Sequence, residues 1–83
     1  MKLKKGDKTN LSNLSIGQRG KVLGIDIQEK EIRRHILDMG ITKGTEIKIK
    51  KIAPMGDPVD IELRGYELCI RKKEMKCINV EIL

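Results

Sequence analysis

At 83 residues the chain is long enough for one domain and too short for two. A domain of this size buries only about 60–65% of the surface its unfolded chain exposes, so function is expected on the surface or in a shallow groove, not in a deep catalytic cleft. Hydrophobic residues at 39% and charged residues at 36% exclude disorder, and the net charge of +6 favours an anionic neighbour such as nucleic acid, a membrane surface or an acidic protein face, unless it serves only solubility.

Much of the positive excess lies in Lys2, Lys4, Lys5 and Lys8. Residues 1–9 carry charge without periodicity and read as a flexible basic segment, with the folded domain over 10–83. Their lysines are not followed by an apolar stretch, so no secretory signal is expected. Nor does any apolar run approach the ~20 residues that cross a bilayer. Cys69 and Cys77 do not form a C-x-x-C pair, which fits a reduced, cytoplasmic protein.

Asn10 is placed to cap a short helical turn that brings Leu11 and Leu14 onto one face, with Gly17 ending it. Residues 20–27 read as a strand, and Gly24 within it predicts a bulge of the kind a small barrel needs in order to curl. Over 29–39 the period changes. Ile32, Ile36 and Met39 form one apolar stripe, and Gly40 stands where a left-handed C-cap suits glycine.

A turn at 42–45 leads into a strand from Glu46 to Ile52, with Ile47 and Ile49 inward and Lys48 and Lys50 outward. Two prolines and a glycine interrupt the ladder at 53–58. Val59, Ile61 and Leu63 resume the alternation, residues 64–67 reverse the chain, and Leu68 and Ile70 mark the next strand. A single helical turn over 72–77 precedes a last strand carrying Ile78, Val80 and Ile82. The sum is mainly β: a small, partly open SH3-like barrel of about five strands, with one inserted α-helix and short helical turns.

No set of residues argues for catalysis, and no phosphate-cradling Gly-x-x-x-x-Gly-Lys-Ser/Thr is present, so the chain reads as a non-enzyme. A bound transition metal usually takes several nitrogen, oxygen or sulfur ligands. The single histidine, His35, has Glu31 and Asp38 within reach along the helix as weak candidate partners, against the simpler reading of a solvated face. Cys69 and Cys77 are a further weak metal candidate; buried small apolar side chains are the default for free cysteines. Nucleic-acid binding is a rival reading for a small basic barrel. Such binders usually stack bases on aromatics, however, and Tyr66 stands alone, so no nucleic acid is expected.

A protein-binding surface remains. Leu37 lies about 100° around the helix from the centre of the apolar stripe, between Arg33 and Arg34. It suits either an interface anchor or a cover for the edge of the core. The loop Pro54-Met55-Gly56-Asp57-Pro58 is a second candidate, since its prolines limit the freedom lost on docking.

The order Leu14-x-x-Gly17, then Ile36-Leu37-Asp38-Met39-Gly40-Ile41, then Lys43-Gly44-Thr45 resembles the FeoA family. So do Ala53-Pro54-Met55-Gly56-Asp57-Pro58 and Arg64-Gly65-Tyr66-x-Leu68-x-Ile70-Arg71, and together the matches span roughly residues 11–82. The resemblance implies an SH3-like barrel acting in bacterial ferrous-iron uptake beside the permease FeoB, whose cytoplasmic GTP-binding domain is the implied partner. The implied role is to modulate the permease's assembly or nucleotide cycle without a tightly bound cofactor, with peripheral contact to the anionic inner membrane through the basic segment. The alternatives are a domain that binds ferrous iron to sense or deliver it and, more weakly, a nucleic-acid-binding barrel. The same fold resembles the C-terminal module of iron-dependent repressors, but the chain carries no DNA-binding portion in front of it.

Overall fold

The computed structural model describes residues 3–83, so Lys2 lies outside the described residues. In chain order the elements are β1 (Lys8–Asn10), a 3-10 turn (Leu11–Asn13), β2 (Arg19–Ile25), α1 (Lys30–Asp38), β3 (Glu46–Ile52), β4 (Val59–Leu63), β5 (Tyr66–Ile70), α2 (Lys72–Met75) and β6 (Ile78–Ile82). All strand pairs are antiparallel, and the sheet runs β1-β6-β2-β3-β4-β5 without closing. The partly open SH3-like barrel therefore holds, with six strands in place of about five.

The extra strand is β1. Lys8, Thr9 and Asn10 pair with Glu81, Val80 and Asn79 of β6, and the backbones of Gly6 and Asp7 also bond to Ile82. The second half of the segment read as loose is thus built into the sheet. Its partner strand lies at the other end of the chain, so no local period announces the pairing. The first long strand covers residues 19–25 instead of 20–27, and α1 covers 30–38 instead of 29–39. β3, β4 and β6 lie where their alternation places them.

Alternation sends Ile47, Ile49, Val59, Ile61, Leu63, Ile78, Val80 and Ile82 to one face, where they are buried with Leu11, Leu14, Val22, Ile36, Ile41, Ile70 and Met75. This core has no aromatic ring. Asn10 caps the 3-10 turn through its side-chain oxygen, which accepts from the Ser12 N–H at 3.0 Å. The register shifts between Val22 and Gly24 and between Ile49 and Lys51 bend β2 and β3.

Helix α1 ends in a Schellman motif. The Gly40 N–H donates to the Leu37 carbonyl and the Ile41 N–H to the Ile36 carbonyl. Gly40 takes φ +87°, and Ile36 and Ile41 are both fully buried beneath it. The cap therefore fixes both where the helix stops and how its apolar stripe enters the core. None of the described helices is long and apolar enough to cross a membrane.

Candidate partner-binding face

The stripe of α1 faces inward as its period requires: Ile36 is fully buried, and Ile32 and Met39 pack against the core. The opposite side presents Arg33, Arg34 and Asp38 to solvent, with Leu37 43% exposed among them. Being partly covered as well as 43% exposed, Leu37 fits both readings, interface anchor and cover for the edge of the core.

His35 is not a free member of that face. Its Nδ1 lies 2.8 Å from Glu74 Oε2 on α2, 39 residues away in the chain, so neither Glu31 nor Asp38 is its partner. An ionised carboxylate can only accept, so the ring nitrogen donates. The Glu74 side chain is 7% exposed, and its other oxygen accepts the Arg71 N–H at 3.1 Å. Both carboxylate oxygens are therefore engaged, one holding the start of α2 and the other holding α1. Glu31, Ile32, His35, Arg71, Lys73 and Glu74 line a groove of about 250 Å³ between the two helices.

The second candidate segment joins this assembly. Pro54, Met55, Asp57 and Pro58 are exposed and Gly56 is half-buried; Met55, 92% exposed, is the most exposed large apolar side chain described. Asp57 Oδ1 accepts the Lys72 N–H at 2.9 Å, which fixes the loop against the start of α2. So α2 links the two faces: it holds α1 through Glu74 and the loop through Lys72. The exposed Arg71, Lys72, Lys73 and Lys76 stand on or beside it. The sequence reading missed α2 as a functional element. A four-residue helix leaves no period to read, and Glu74 is one carboxylate among many until its partners are known.

The cysteines depart from expectation. Cys69 is exposed, not buried, and its thiol donates to Asp60 Oδ1 at 2.8 Å across the β4–β5 ladder. That hydrogen bond, with smaller contributions from desolvation and the carboxylate's charge, pushes the thiol above its ordinary pKa. Half-buried Cys77 donates to the Lys73 carbonyl at 3.5 Å. Among the described residues, no three His, Cys, Asp or Glu side chains converge on one point.

The remaining residues that carry the family resemblance brace the fold. Arg64 and Gly65 take φ +51° and +85° in the two-residue turn between β4 and β5. From that turn the Arg64 guanidinium donates to the hydroxyls of Thr42 and Thr45 at 3.1 and 3.2 Å. Tyr66 donates from its hydroxyl to the Met39 carbonyl at 2.6 Å. The hairpin thus clamps the stretch that leaves α1, on which the direction of the Leu37 face depends.

Residues 9–82 match the FeoA domain family. The chain belongs to that family. A FeoA-like protein from Clostridium acetobutylicum has a structure similar to this chain's, with 49% identity and a TM-score of 0.83 over 98% of this chain and 91% of that one. The FeoA of Stenotrophomonas maltophilia, an SH3 domain protein solved in complex with zinc, is 22% identical with a TM-score of 0.76, covering 88% of this chain and 89% of that one. That likeness shows the fold alone, and it is SH3-like. In sequence, the FeoA chain is 29% identical over 73 residues to an Fe(2+) transport protein A/Fe(2+) transporter FeoB fusion protein of Porphyromonas gingivalis. The match takes in 88% of this chain and spans only 8% of the fusion protein's length.

Proposed function

We propose that this chain is a non-catalytic accessory module of ferrous-iron transport that docks on the cytoplasmic GTP-binding domain of the permease FeoB. The supporting observation is the exposed Leu37, held between Arg33 and Arg34 on a helix that α2 ties to the Met55 loop. The joining of a related domain to FeoB in one fusion protein supports the choice of partner. Arg33 and Arg34 are of the residue type enriched at binding hot spots, and Leu37 and Met55 add exposed apolar surface. The module acts by binding one state of the permease more tightly than another, which shifts its assembly or nucleotide cycle. Lys4, Lys5 and Lys8 add attraction to an anionic membrane surface close to the permease.

The test is an amide NMR titration of the labelled chain with the purified GTP-binding domain, run with GDP and with a GTP analogue. Shifts concentrated at 33–37 and 54–58 that depend on the nucleotide are the expected result. Shifts absent with both nucleotides, or placed elsewhere on the barrel, overturn this face. Ferrous iron added anaerobically to the same sample should leave His35, Glu74 and the cysteines in place, and saturable shifts there would favour an iron-binding domain instead.

A further inference from the structure

The two ends of the open sheet differ in a way that matters for association. An unpaired strand edge is a template for another strand, and natural proteins guard it with lysine, proline, bulges or short length. β1 is guarded: it is three residues long, carries Lys8, and follows Lys4 and Lys5. β5 is guarded less, with Glu67 as its one charged residue. Its five residues pair with β4 in an unbroken register and include neither lysine nor proline.

The β4–β5 register decides which backbone groups face outward. A two-residue turn makes Leu63 and Tyr66 a hydrogen-bonded pair, and the bonded pairs then recur every second residue at Ile61 with Leu68 and Val59 with Ile70. The N–H and C=O of Glu67 and Cys69 therefore point away from β4. Among the described residues neither has a backbone partner elsewhere, and both side chains are exposed. Beyond them the row of free groups stops. The Arg71 N–H is taken by Glu74 Oε1, and the Arg71 carbonyl by the N–H groups of Glu74 and Met75.

We infer that β5 pairs with β5 of a second copy of this chain, antiparallel about a two-fold axis at Leu68. Only a register centred there satisfies all four free groups of each copy. Glu67 of one chain exchanges both bonds with Cys69 of the second copy, and Cys69 does the same with Glu67. The same register sets Leu68 opposite Leu68 of the second copy and Tyr66 opposite Ile70, an aromatic against a β-branched residue, which is a favourable cross-strand pair. A register centred on Cys69 would place Glu67 opposite the occupied backbone of Arg71. The contact is isologous and rests on four backbone hydrogen bonds, which makes it a weak one. It is populated at high protein concentration.

Amide hydrogen exchange on the unmodified chain, at tens of micromolar and again near millimolar, tests the pairing. Glu67 and Cys69 should exchange fast in the dilute sample and several-fold more slowly in the concentrated one. Leu68 and Ile70, bonded to β4, should stay unchanged. Exchange at Glu67 and Cys69 that does not vary with concentration, whether fast or slow, overturns the inference. So does protection that appears only when the FeoB domain is added, which would give the edge to a heterologous strand. Glu67→Pro removes one outward N–H and no bond to β4. The weight-average mass in sedimentation equilibrium should then cease to rise with concentration, and a mass curve unchanged from that of the parent chain would also overturn the pairing.

Discussion

The hydroxyl of Tyr66 donates to the carbonyl of Met39 at 2.6 Å, across 27 residues of chain, and it lies 2.7 Å from where a Cβ on Gly40 would stand. One glycine thus meets two demands: a left-handed backbone at the end of α1 and room for a phenol above it. The direction in which α1 presents Leu37 rests on this contact.

Tyr66→Phe should lower stability by about 0.5–1.5 kcal/mol, the usual range for one lost hydrogen bond. In a domain of this size each kcal/mol is worth about 4–8 °C in the melting temperature. Gly40→Ala should cost more, about 2 kcal/mol or above, since it adds steric overlap to backbone strain. In the double variant the missing hydroxyl makes room for the new methyl, so its loss should fall short of the sum by at least about 0.5 kcal/mol. Thermal melts of the four proteins close the cycle, and strict additivity would mean that the two residues do not meet.

On α1, neighbouring residues should separate folding from docking. Ile36→Ala removes a fully buried side chain and should cost about 2–5 kcal/mol. Leu37→Ala removes one outside the core and should change stability by no more than about 0.5 kcal/mol, yet weaken binding to the FeoB domain more than tenfold, about 1.4 kcal/mol. Chemical denaturation read beside a binding isotherm distinguishes the two effects.

Glu74 holds two elements and His35 only one. Glu74→Ala should destabilise by about 1–3 kcal/mol, because the Arg71 N–H and the His35 ring lose their partner together. His35→Ala leaves Glu74 Oε2 beside a groove open to water and should cost less than about 1 kcal/mol. The Arg71 amide resonance should move strongly in the first variant and little in the second.

The Cys69 thiol should titrate above the ordinary range, because Asp60 accepts its proton. A thiol whose folded pKa is raised binds its proton more tightly in the folded state. The stability it contributes is therefore present below its ordinary pKa and is lost as pH rises through the raised value. Alkylation of Cys69 followed against pH should show a late rise, and Asp60→Asn should bring that rise to lower pH. An unchanged profile in Asp60→Asn would remove Asp60 as the cause.

Residues whose neighbours are local were legible in the sequence. The Ile47/Ile49 alternation, the Ile32/Ile36/Met39 stripe, the Gly40 cap and the Asn10 cap each follow from a period or a capping rule spanning a few residues. The exposure of Met55 was legible for the same reason, since it stands at the tip of a proline loop, whereas Leu37 was left between two readings. Cys69 was misjudged because burial depends on which sheet face a strand position meets.

By itself, then, the sequence determined the mainly β barrel with one inserted helix, the aliphatic core and the membership of the FeoA domain family. These depend on residue type at short spacing and on the order of motifs. Only the tertiary structure decided that β1 joins β6, that His35 belongs to Glu74 rather than Glu31 or Asp38, that α2 ties α1 to the Met55 loop, and that β5 is left as an edge of the sheet. Each of these is a pairing between distant parts of the chain. Hydrogen-bonding groups take their partners from whatever the closed core brings within about 3 Å, and no period in the sequence encodes that distance.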